Sequence, residues 1–261
     1  MAATDDGASS AASQLLARGM RVLEALSESP DPVGVGELAR DVDLPKSTVQ
    51  RILRTLEQLN WVESIQDPHT RWLLTDRMRL LGQRAPRAKD LRSTARPYMR
   101  RLGLVTREAI QLATLNRSLA ATVLIERVDS TQPVRTHNEI GTVVPLYAGA
   151  VGTAILAALP AAEAEAMLTG SLTKITSSTV TDKVLLRRRL NEIRRVGYAV
   201  SRGEFRAEIC AVGAAILDEE GNPTGGLTIS MPETRFDAEQ VPEWGRLLTD
   251  ACRHIEQDLR D

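Results

Sequence analysis

The sequence encodes an α+β protein of two unequal units, on three grounds. Residues 35 to 58 hold two short amphipathic stretches that meet at a Pro-containing turn, and a small hairpin follows them up to residue 74. A cationic run from Asp76 to about Arg96 reads as a helical connector. Beyond Pro97 the pattern changes to strand-like runs interspersed with Ala-rich and basic helices. The first of these outlines is that of a winged helix-turn-helix. With 261 residues, 43% of them hydrophobic, the chain can bury a substantial core, and its length suits two domains better than one.

The polar start, residues 1–13, is rich in Ala, Ser and Asp and reads as a disordered tail. It lacks the apolar core of a signal peptide, and no run approaches the length of a membrane span, so the expected compartment is the cytoplasm. The winged unit then covers residues 14–75. Leu15, Gly19, Val22, Leu23 and Leu26 recur at helical spacing and make a first helix, ended by Pro30, Asp31, Pro32 and Gly34. Val35, Leu38, Ala39 and Val42 give the next helix one buried face; Val49, Ile52, Leu53 and Leu56 do the same for the one after it. Pro45 suits the entry to that last helix, where the amide it lacks would have no helical partner. Trp61, Val62 and Ile65 make a short strand, Asp67 to Thr70 a turn, and Arg71 to Leu74 a returning strand, with Arg71 at the tip of the wing.

The connector, residues 76–96, is one helix that Pro86 breaks or kinks. In the rear unit, residues 97–261, the strands are Ile110–Leu115, Ala121–Ile125 and Thr142–Leu146, and two Ala-rich helices between 149 and 168 are parted by Pro160. A basic amphipathic helix runs from Asp182 to Val196 and stops before Gly197. A hairpin joins Ala211–Leu217 to Gly226–Ser230. Asp237 opens a last helix whose apolar stripe is Val241, Trp244, Leu248, Ala251, Ile255 and Leu259.

The exposed side of the second helix of the pair carries the functional signal. Ser47, Gln50, Arg51, Arg54 and Gln58 fall on it at offsets of three and four, projecting polar donors from a rod that fits the major groove of double-stranded DNA. Lys46 and Thr48 open the same helix, and Arg71 is placed for a flanking phosphate. Ser47 has two readings: a phosphate contact, or a capping box with Gln50. The formal net charge of −1 is low for a nucleic-acid binder, but Glu24, Glu28, Asp31 and Glu37 sit in the first helices while Lys46, Arg51, Arg54 and Arg71 cluster where DNA would lie. Modest affinity per module favours a homodimer on a pseudo-palindromic operator.

Other chemistries fare worse. Cys210 and Cys252 lie far apart in apolar segments, which argues for buried thiols over a disulfide framework or a zinc site. His69, His137 and His254 have no metal-ligand spacing, and no Gly-x-Ser-x-Gly elbow accompanies them. Gly34-Val35-Gly36 follows no parallel strand and is no dinucleotide fingerprint, so neither catalytic residues nor a cofactor is expected. A rival reading makes the chain a metabolite-binding or enzymatic protein whose N-terminal helices mediate protein contacts only; the polar stripe of the second helix separates the two.

The segments Leu38-Ala39-Arg40 and Leu44 to Leu53, followed by Val144 to Ala154, Arg194 to Ala199 and Gly226 to Pro232, resemble the IclR family of bacterial transcriptional regulators in order and spacing. The resemblance implies a winged-helix head, a connecting helix and a GAF-like effector domain that assembles as a homodimer or a dimer of dimers. It also implies a small-molecule cavity lined by Leu146, Gly149, Ala150, Val151, Gly152, Ser201, Glu204, Ala211, Thr228 and Ser230. A small organic acid fits two of these features, since amides at a helix start favour an anion and Thr228 and Ser230 share one strand face. Members that bind small oxo-acids often carry Gly-Ala where Ala150-Val151 stands, a carboxylate near Ser201 or Arg202, and Cys at the position of Ala211. The departures here, with Arg202 and Arg206 as added cations, imply a ligand different from the smallest oxo-acids.

Overall fold

A computed structural model describes residues 5–29, 31–84 and 90–260, which fall into two compact units, 1–87 and 88–261. The first unit comprises α1 (Asp5–Glu28), β1 (Val33–Gly34), α2 (Val35–Asp41), α3 (Lys46–Gln58), β2 (Val62–Asp67), β3 (His69–Leu74) and α4 (Asp76–Arg84). Its core gathers Val22, Leu23 and Leu26 from α1, Leu38 and Ala39 from α2, Val49, Ile52 and Leu53 from α3, and Val62 and Trp72 from the wing. The α2–α3 turn is closed by Val42 and Leu44 amides donating to Leu38 and Ala39 carbonyls, with Asp43 in the left-handed region at φ +51°.

Three expectations for this unit are corrected. The stretch expected as a disordered tail is helix from Asp5 onward, continuous with the helix that carries Leu15 to Leu26. The wing has a third strand, β1, paired with β3 through Val33–Trp72 and Gly34–Arg71. Its hairpin is also tighter than a 67–70 turn: Gln66 pairs with Thr70 and Asp67 with His69, leaving Pro68 at the tip. The Gln66 amide donates to Thr70 Oγ1 at 2.7 Å and extends the ladder. Arg71 therefore sits within β3, opposite Ile65, and not at the tip.

The connector is also not one helix over 76–96. Helix α4 belongs to the first unit, where Arg77 donates to Leu59 O at 2.8 Å and lies 4.7 Å over the Trp61 ring. Pro86 lies outside the described residues. Asp90 then caps α5 (Leu91–Thr106), accepting from the Arg92 amide, and α5 runs past Arg96 and Pro97 because Ala95, Met99 and Leu102 form one stripe against the rear core.

The second unit continues with β4 (Ala109–Asn116), β5 (Ala121–Val128), β6 (Val143–Pro145), α6 (Ala150–Ala158), α7 (Ala161–Met167) and α8 (Lys183–Val196). It closes with β7 (Ala199–Arg202), β8 (Ile209–Leu217), β9 (Pro223–Pro232) and α9 (Val241–Arg260). The six strands form one antiparallel sheet in the order β6-β5-β4-β9-β8-β7. Strand alternation divides its faces. Ile110, Leu112, Val212, Ala214, Leu227 and Ile229 meet α5 and α9 on one side, and α6 covers part of the other. Asp182 caps α8 and Gly197 closes it, while the last helix begins at Val241 because Asp237 caps only the preceding turn. Cys210 and Cys252 are buried free thiols, and burial pushes the Cys252 thiol up to about 12.

Gly213 fixes how closely α6 approaches the sheet: a Cβ there would lie 2.5 Å from the Val151 amide nitrogen. Gly213→Ala is therefore expected to push the start of α6 off β8 and destabilise the rear unit by about 1 to 3 kcal/mol. Thermal unfolding of the full chain measures the loss; an unchanged rear-unit transition would show that the helix yields without cost.

Candidate functional site

Helix α3 presents the first site. Its buried residues Val49, Ile52 and Leu53 seat it on the core, leaving Ser47, Gln50, Arg51, Arg54 and Gln58 exposed. Lys46 is its first residue and exposed; Thr48 is half-buried. The N-cap is Pro45 and no side chain caps the helix, so the capping-box reading of Ser47 is set aside: Ser47 lies inside the first turn. Thr48 and Val49 amides both turn to Pro45 O, at 2.9 and 3.1 Å. Arg51 stands apart from Gln50 and Arg54, since with Thr55 and Leu59 it also edges a groove of about 630 Å³ against Leu15, Leu16 and Met20 of α1. Arg71 is exposed on β3 and held by a bond from its Nη1 to Pro32 O at 3.0 Å.

The second site is a cavity of about 80 Å³ on the sheet face beside α6. Its floor is built from alternate residues of adjacent strands: Gln111 and Ala113 on β4, Thr228 and Ser230 on β9, Ala211 on β8 and Ser201 on β7. Gly149, Ala150 and Val151 bring the start of α6 to its wall, where the first-turn amides have no intrahelical partner. Thr228 and Ser230 are 7% and 2% exposed. Neither hydroxyl takes part in a hydrogen bond among the described residues. A segment over 129–142 crosses the far side and contributes Asn138 and Thr142. It is tied down by Arg127, donating to Asn138 O at 2.6 Å, by Arg206, donating to His137 O at 2.9 Å, and by Thr136, donating to Ser230 O at 3.3 Å.

Three of the residues expected at this cavity lie elsewhere. Leu146 is buried in the apolar cluster around α6, and Gly152 is small because a Cβ there would strike the Leu146 carbonyl oxygen. Glu204 turns away from the cavity to Arg189, whose Nη1 reaches both carboxylate oxygens at 2.8 Å while Nη2 donates to Val200 O. Burial pushes the Glu204 carboxyl above the ordinary carboxylate range, with the Arg189 guanidinium pulling the other way. Its role is to brace the loop that carries Phe205 and Arg206 to the cavity wall.

Sequence reasoning missed Gln111, Ala113, Thr122, Leu124, Asn138, Thr142, Val144, Phe205 and Ile209 at the cavity, and placed Arg206 only as an added cation. Gln111 could have been found: Ile110 and Leu112 commit one face of β4 to the core, so a polar residue between them points to the other side. Asn138 had no such signal, because the 129–142 segment has no period from which direction can be read.

Two family models match the chain: the IclR helix-turn-helix domain over residues 15–66 and the bacterial transcriptional regulator IclR C-terminal domain over residues 83–257. The chain is 31% identical over 250 residues to the HTH-type transcriptional repressor AllR of Escherichia coli K12, covering 94% of this chain and 90% of that one. It is 31% identical over 239 residues to the transcriptional regulator KdgR of the same organism, covering 91% and 89%. Among solved structures, an IclR homologue from Microbacterium hydrocarbonoxydans in complex with 4-hydroxybenzoate superposes with a TM-score of 0.80 at 28% identity, over 94% of this chain and 98% of that one. Among the described residues no helix is long and apolar enough to cross a membrane. With a winged helix that exposes a polar reading face, a sheet-backed cavity behind it in sequence, and both family models matched in order, this chain belongs to the IclR family of DNA-binding bacterial transcriptional regulators.

Proposed function

We propose that the rear unit binds a small organic acid in the cavity beside α6 and that occupancy changes how α3 engages a pseudo-palindromic operator, with the protein acting as a dimer or dimer of dimers. The observation that carries this reading is the pair of unpartnered hydroxyls of Thr228 and Ser230, two otherwise buried residues on the cavity floor, next to the open amides at the start of α6. Hydroxyl and amide donors converging on one side suit a carboxylate. Lys46, Ser47, Thr48, Gln50, Arg51, Arg54 and Arg71 are the DNA-facing set of this proposal, and Gly149, Ala150, Val151, Ser201 and Ala211 join the two hydroxyls around the ligand.

The coupling between the two sites is a free energy of about 1 to 3 kcal/mol in proteins of this behaviour, enough to change operator affinity several-fold to a hundredfold. The test is a double substitution, Thr228→Val with Ser230→Ala. It is expected to abolish the rise in thermal stability that organic acids produce by binding the native state, and to abolish their effect on duplex binding, while leaving ligand-free duplex binding intact. An acid response that survives both changes removes the cavity from the proposal.

A further inference from the structure

Three arginines fasten the 129–142 segment across the cavity, and they differ in one respect. Arg235 donates to Val134 O and is neutralised by Glu108, whose two carboxylate oxygens its Nε and Nη2 meet at 2.6 Å. Arg127 donates to Asn138 O and pairs with Asp129 at 3.2 Å. Arg206 donates to His137 O at 2.9 Å, yet no carboxylate among the described residues meets it. Of the three, it is Arg206 that lines the cavity, and no Asp or Glu lines the cavity with it. Arg202, the neighbouring cation, is turned to the Phe236 ring at 4.4 Å and is not part of the lining. The carbonyl takes one N–H of the Arg206 guanidinium and leaves the rest of its donor fork open.

The sheet register places this cation relative to the start of α6. Ile209, Ala211 and Gly213 alternate along one face of β8, and the Val151 amide sits directly above Gly213. Arg206 stands at the opposite end, in the loop before Ile209, whose amide donates to Arg206 O at 3.0 Å. Its guanidinium reaches back to His137, next to Thr136, which is anchored on Ser230 opposite Ala211. Two residues of strand separate Ala211 from Gly213, so the cation and the α6 amides stand at least roughly 7 Å apart along the cavity. Between them lies the unpartnered hydroxyl of Thr228, opposite Gly213 and 7% exposed. An acid whose carboxylate meets the α6 amides and Thr228 therefore points its other end at Arg206. An ammonium group there would be repelled, and a neutral group would gain less than a second carboxylate, whose hydrogen bonds to a guanidinium are charge-assisted.

We propose that Arg206 is a specificity-determining residue that selects short dicarboxylic acids, one carboxylate resting on the α6 amides and the Thr228 hydroxyl and the other supplying the counter-ion that Arg206 lacks; this rests on the cavity being an organic-acid site. Because Arg206 is exposed, water and salt screen the second contact, so the preference depends on ionic strength.

The full-length protein is titrated calorimetrically, at neutral pH, with matched acids that differ by one terminal carboxylate: succinate against butyrate, and glutarate against pentanoate. At about 20 mM salt at least one diacid is expected to bind about tenfold or more tightly than its partner, and the margin should narrow at about 200 mM. Arg206→Gln should bring diacid and monoacid to equal affinity, whatever loosening the strap does to both, and Arg206→Lys, which keeps the charge, should retain part of the preference. Equal binding of each pair by the native protein, or a preference that survives Arg206→Gln, overturns the role of Arg206 and leaves the acid cavity standing. Failure of every acid to bind the native protein overturns both.

Discussion

Alanine at both Gln50 and Arg54 is expected to erase discrimination between a duplex selected by this protein from random sequence and an unselected duplex of the same length. Both side chains are exposed on the side of α3 opposite Val49, Ile52 and Leu53, so their removal leaves the core untouched. Each side chain paired to a base edge contributes about 1 to 3 kcal/mol of discrimination, and two on one helix face therefore contribute roughly 2 to 6 kcal/mol. Affinity for the selected duplex should fall at least thirtyfold, with little change for the unselected one. Gel-shift titrations on both duplexes decide the matter, and equal losses on the two would place these residues on the phosphate backbone. Arg71 offers the internal contrast. Its guanidinium is anchored to Pro32 O on the rising strand of the wing, so Arg71→Ala should weaken all duplexes alike and reduce the salt slope by about one ion.

The reading helix was legible in the sequence because its two faces differ in chemistry at a fixed period; Val49, Ile52 and Leu53 against Ser47, Gln50 and Arg54 leave one orientation only. The same holds for the last helix of the rear unit, whose expected stripe supplies the buried Trp244, Leu248, Ala251 and Ile255 of α9. Short elements escaped because they have no period to display. Strand β1 is two residues long and exists only through its pairing with β3, and β7 is four residues whose partners lie eight to fourteen positions away on β8. The cavity was legible where a strand or helix start set direction, as at Thr228, Ser230 and Ala150. It was illegible where tertiary contacts aim the side chain. Asn138 is directed by Arg127 and Gln111, and Glu204 is drawn off by an arginine on a helix that packs behind it. A residue's place in a family pattern gave its neighbourhood in both the Leu146 and Glu204 cases, but not the partner that claims its side chain.

That partner supplies the second large effect. Arg189→Met is expected to destabilise the rear unit by about 3 to 5 kcal/mol, the cost of stranding one member of a buried ion pair. The two side chains are 18% and 9% exposed, so water does little to replace the lost guanidinium. The loss should depend on pH in a definite direction. Burial already raises the Glu204 carboxyl above its ordinary value of 4.5, and Arg189 works against that rise. In the variant the folded state therefore holds the Glu204 proton to still higher pH than the unfolded chain does. Where the folded form binds more protons, stability falls as pH rises, so the deficit should be smallest near and below 4.5 and should grow through the interval up to the raised folded value. Denaturant unfolding of the rear unit at about pH 5 and about pH 8, native against variant, measures the difference. Adding Glu204→Gln to Arg189→Met should recover most of the loss at the higher pH, because the stranded group is then neutral. A deficit that is flat with pH and unmoved by the second change would mean that Arg189 acts through its apolar stem and its bond to the Val200 carbonyl, and that the carboxylate beneath it carries no charge in need of a partner.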